Sequence, residues 1–153
     1  MDQPPFPSTE ATVTALREVA ARHGREACVE HAIGADQSGR RTSSGAFAVL
    51  DDDGSLPHEA VVDIPGSPVV EIQVFSEGDT KITVEGVEFY DVPAGHAPAF
   101  LDAVLAGRAR VKTTWYPPFA RLIVSLPGDV TYKEVISMAH AGGMTPWLSR
   151  RTR

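Results

Sequence analysis

Cys28-Val29-Glu30-His31 is the first stretch that invites a chemical reading, because a cysteine and a histidine three positions apart are spaced as in zinc sites. Structural zinc takes four ligands converging tetrahedrally. The chain has no second cysteine, and His23, His58, His96 and His140 are scattered along it. On a strand, Cys28 and His31 also point to opposite faces. No metal site is therefore expected, and Cys28 reads as a small core residue. Asp51-Asp52-Asp53-Gly54 offers three carboxylates in a row. A calcium loop of the EF-hand kind needs glycine at its sixth position and glutamate at its twelfth. Counted from Asp51 these are Leu56 and Val62, so the run reads as an acidic hairpin tip. His96, between Gly95 and Ala97, reads as a surface histidine ahead of a helix.

Nucleophilic catalysis needs a nucleophile, a base and a group that orients the base. The sequence has no G-x-S-x-G elbow and neither of the glycine-rich loops that cradle phosphates. Its carboxylates show no spacing that marks an acid/base pair. The expectation is a non-enzymatic protein with no cofactor.

Two constellations rise above this background. In Trp115-Tyr116-Pro117-Pro118-Phe119 three aromatics crowd a loop that prolines stiffen. Rigid aromatics supply contact area at low entropic cost and serve as interface anchors. Tyr116 is expected to be more exposed than Trp115. The second is a basic row, Arg108, Arg110 and Lys112, extended by Arg121. Strand alternation sends these to one sheet face and Ala109, Val111 and Thr113 to the other. Leu122, Val124 and Leu126 join the apolar set, and Ser125 the polar one. A basic face can meet an acidic partner or a phosphate. The competing reading is cross-strand charge pairing with Glu71, Gln73, Glu85 and Glu88. Trp115, Tyr116, Phe119, Arg108, Arg110, Lys112 and Arg121 are the expected binding residues.

The elements that must position them are readable from periodicity. Ser8 and Thr9 are N-cap residues, Val13, Leu16, Val19 and Ala20 follow at helical spacing, and Gly24 is a stop, giving a helix over 9–23. The period then becomes two, with strands expected near 27–33, 45–51, 59–64, 69–76, 80–85 and 87–92. Gln37 to Gly45 is a polar loop, and Ser76-Glu77-Gly78-Asp79 and Glu85-Gly86 are reversals. Pro98 and Gly107 bracket a helix over 97–106 with Phe100, Leu101, Val104 and Leu105 on one face. Strands near 108–114, 119–126 and 131–137 complete the pattern. The fold class is α+β: a largely antiparallel sheet of six to eight strands with two helices covering one face. Residues 1–7, with Pro4, Pro5 and Pro7, form an arm, 8–141 a single domain, and 142–153 an irregular tail whose Arg150-Arg151-Thr152-Arg153 end is solvated.

The totals fit. A chain of 153 residues with 42% hydrophobic and 22% charged residues is an ordinary single globular domain. The net charge of −6 argues against general nucleic-acid binding. One cysteine fits a reducing compartment. Met1 to Pro7 has no signal-peptide pattern, and no apolar run reaches membrane-spanning length, so a cytoplasmic protein is expected.

Val87-Glu88-Phe89-Tyr90-Asp91-Val92-Pro93, then Ala99 to Gly107, then Ala109-Arg110-Val111 read strand, helix, strand. In order and residue character this part, roughly 80–126, resembles the later part of small bacterial immunity proteins, which neutralise a cognate toxin by binding it. It includes no diagnostic motif and carries over no functional residue. The resemblance implies an acidic, non-enzymatic, cytosolic α+β binder. The leading expectation is thus a protein-interaction module with a protein partner, in its finer form an immunity-type inhibitor. The alternative is a small-molecule-binding protein or enzyme with a pocket between the sheet and helix 97–106.

Overall fold

The computed structural model describes residues 8–31, 59–115, 118–136 and 145–152. The expected arm over 1–7, the loop 37–45, the strand 45–51 and the acidic tip at Asp51 lie outside these residues.

Helix α1 spans Thr9–Arg22. Ser8 caps it, its hydroxyl accepting from the Ala11 N–H at 3.1 Å. Gly24, at φ 68°, reverses the chain so that the Arg25 N–H reaches the Ala20 carbonyl at 2.8 Å. A meander follows: β1 (Cys28–His31), β2 (Ala60–Ile64), β3 (Val70–Val74), β4 (Asp79–Val84) and β5 (Val87–Pro93), each antiparallel to the next. A 3-10 turn, Ala94–His96, leads into α2 (Ala97–Leu105). The chain then makes β6 (Arg110–Trp115), β7 (Pro118–Leu126) and β8 (Val130–Ile136), a second antiparallel sheet in the order β6-β7-β8. A short helix, α3 (Pro146–Ser149), comes last.

The α+β class and the strand alternation hold, but the single expected sheet is two. After β5 the chain leaves through Pro93, which lacks an N–H for a ladder. A register shift opposite β4 and Asp91 at φ 56° distort the end of β5. β5 consequently lies beside β8 in space without joining it in one sheet.

The buried faces of both sheets and the helices nonetheless share one core. Val62, Ile72, Ile82 and Phe89 come from the first sheet, and Val111, Leu122 and Val124 from the second. Leu16 of α1 and Phe100 and Leu101 of α2 are fully buried in it. α1 packs on β2 and β3, α2 packs on β7, and the two helices pack on each other. The Phe100 ring sits 5.0 Å from Phe89 and 5.6 Å from Tyr132, filling the space between α2 and the strands with aromatic edges.

The tail also departs from expectation. Thr145 caps α3, and Trp147 and Leu148 are buried. The Val111 N–H donates to the Arg151 carbonyl at 2.9 Å, and Thr152 bridges Val111 in parallel, so residues 151–152 line the free edge of β6. Arg151 stacks over Trp147 at 5.1 Å and donates to the Gly107 carbonyl at 3.2 Å. Cys28, expected in the core, is exposed.

Candidate functional site

The β6-β7-β8 sheet has one buried and one open face, as pleating requires. Val111, Leu122, Val124 and Leu126 are buried, and Arg110, Lys112, Arg121 and Ser125 are exposed. Register fixes the open face. Lys112 stands directly opposite Arg121, and Arg110 opposite Ile123. β8 adds Lys133 opposite Ile123, and Val135 opposite Arg121. Ile123, between Arg110 and Lys133 in register, is 5% exposed.

Four cationic side chains thus share this face, and among the described residues no carboxylate lies on it in register. The Lys112–Arg121 pair sets like charges across a ladder, an unfavourable placement. The competing expectation of charge pairing with Glu71, Gln73 and Glu88 fails on topology. Those residues lie on β3 and β5, in the other sheet. Glu85 sits in the β4–β5 turn, where burial raises its pKa.

Aromatics border the cations. Arg121 stacks on Phe119 with its guanidinium carbon 4.9 Å from the ring centre. Trp115, at the end of β6, is 89% exposed, and Val135 is 53% exposed. Tyr116 lies outside the described residues. Of the seven residues expected at the site, Arg110, Lys112, Phe119 and Arg121 share one face, whereas Trp115, opposite Pro118 at the end of β6, alternates to the other side with Val111 and Thr113. Arg108 stands apart. It precedes β6, and its guanidinium pairs with Asp102 of α2. Lys133 and Val135 belong to the face and were not anticipated. Their alternation in 130–136 was visible, but the register that brings β8 beside β7 was not.

Elsewhere, Asp102 also accepts from His23 at 2.8 Å, which ties the end of α1 to α2. That hydrogen bond holds the Asp102 pKa below its ordinary value. His96 Nδ1 and the Tyr132 hydroxyl share a 2.7 Å hydrogen bond, and burial raises the Tyr132 pKa. A recess of about 270 Å³ at the β4–β5 end is lined by Glu77, Gly78, Asp79, Asp91 and Pro93. Among the described residues no group of three or more His, Cys, Asp or Glu side chains is placed to hold a metal ion. No described helix is long and apolar enough to cross a membrane. Comparison with known proteins finds no matching family model, no similar curated protein and no similar solved structure.

Proposed function

We propose that this protein is a non-enzymatic interaction module that binds an acidic surface of a protein partner through the open face of the β6-β7-β8 sheet. One observation carries the reading. In a chain of net charge −6, four cations gather on one sheet face with no carboxylate on it in register among the described residues, beside Phe119 on the same face and near Trp115, 89% exposed at the end of β6. Such a field speeds encounter with an acidic partner and orients it, while Trp115 and Phe119 supply apolar area. An immunity-type inhibitor, directed at a toxin, is the finer form of the proposal. It is supported by the resemblance over 80–126 and by the acidic overall composition.

The test is capture of a partner from lysate of the source cells on the immobilised protein, followed by purification of that partner and binding kinetics. Arg110→Glu should slow association and flatten its salt dependence. Trp115→Ala should weaken binding about tenfold or more, the loss expected of an anchor, with little change in stability. A partner that binds both variants as it binds the parent would place the interface elsewhere.

A further inference from the structure

The outer face of the five-stranded sheet mirrors the basic face in sign. Asp63 on β2 stands directly opposite Glu71 on β3, a like-charge pair of carboxylates. Glu30 on β1 and Glu88 on β5 lie on the same face, and Lys81 is its one cation among the described residues. Lys81 is already engaged, 3.1 Å from Glu88 and 5.3 Å from the Tyr90 ring centre. Each sheet therefore holds a like-charge ladder pair on its outer face, anionic on one and cationic on the other. Like charges across a ladder repel, and a facing surface of opposite sign relieves that repulsion. Each sheet presents the surface that the other lacks.

We infer that the basic face also docks on the acidic sheet face of a second copy of this chain. The inference rests on the reading that the basic face binds an acidic surface, and it names one such surface. Apolar area is available on both sides: Tyr90 is 56% exposed on the acidic face, and Val135 53% and half-buried Phe119 on the basic one. Residue contacts in this arrangement are unlike on the two chains, with Lys112 and Arg121 of one meeting Asp63 and Glu71 of the other. The self-contact occupies the same cations as a foreign partner, so the two compete.

Sedimentation velocity on the full chain tests it, at about 20 mM and about 500 mM salt, which changes the screening length several-fold. The expected result is a mass rising above 16.4 kDa with concentration at low salt and falling back to 16.4 kDa at high salt. Lys112→Glu/Arg121→Glu and Asp63→Lys/Glu71→Lys each exchange one like-charge pair for another. Each alone should weaken self-association at least tenfold. Mixing the two variants should restore assembly, because the first keeps its acidic face and the second its basic one. A parent chain that stays at 16.4 kDa up to about millimolar concentration at low salt overturns the inference. So does assembly of either single-face variant equal to that of the parent. The two readings fail separately: Asp63→Lys/Glu71→Lys should still bind a captured partner. If Lys112→Glu/Arg121→Glu also binds that partner as the parent does, the proposed function itself falls.

Discussion

Lys112 and Arg121 face each other across β6 and β7, and among the described residues no carboxylate stands on that face in register. Cross-strand pairs of opposite charge stabilise a sheet by about 0.2–1 kcal/mol, and like pairs act in the other direction. Lys112→Glu should therefore raise stability in urea melts by a few tenths to about 1 kcal/mol while weakening partner binding. A variant that loses both would show that Lys112 serves the fold. Gly66 holds φ 124° in the turn after β2. Arg25 donates there to the carbonyls of Pro65, Ser67 and Pro68, and a Cβ on Gly66 would lie 2.5 Å from its Nη2. Gly66→Ala should cost roughly 1–3 kcal/mol by denaturant melt, as forced positive-φ side chains do. At this scale alternation told Arg110, Lys112 and Arg121 from their buried neighbours correctly. It placed Arg108 wrongly because the Arg108 N–H still bonds back to Ala103 to finish α2, and the strand begins only at Arg110.

Element by element, the long and capped segments were legible and the short one was not. α1 and α2 lie where apolar spacing, Ser8, Pro98, Gly24 and Gly107 put them. α3 has four residues, too few to show a period, and is held by the burial of Trp147 and Leu148. Trp147→Ala should cost roughly 3–5 kcal/mol and Leu101→Ala roughly 2–5 kcal/mol in denaturant melts. A change below about half a kcal/mol in either would be that of a surface residue, and would mean that the helix carrying it is not packed as described. The expected single sheet became two because periodicity assigns faces and not neighbours. Nothing in 87–93 or 130–136 announces that β5 and β8 adjoin without pairing. The α1–α2 contact carries its own pH signature through Asp102, whose hydrogen bond with His23 depresses its pKa from an ordinary 3.8. A carboxylate with a lowered folded pKa contributes stability above its unfolded value, lost as pH falls through the folded one. Acid unfolding of Asp102→Asn should then be less steep below about pH 4 than that of the parent. Equal slopes would mean that the His23–Asp102 contact adds nothing to folding.

Over the whole molecule, the net charge of −6 conceals its distribution. The total describes an acidic chain, while the outer face of one sheet carries Arg110, Lys112, Arg121 and Lys133 and that of the other carries Glu30, Asp63, Glu71 and Glu88 with Lys81. That separation was not legible, because it depends on which strands share a sheet. The open face of β6-β7-β8 is the proposed binding site for a partner. Hydrogen–deuterium exchange of the protein alone and bound to its captured partner addresses that face directly. Slowed exchange on binding should concentrate in 110–115, 119–125 and 131–135. Protection confined to α1 or to β1–β4, with those three segments unchanged, would place the partner on another surface.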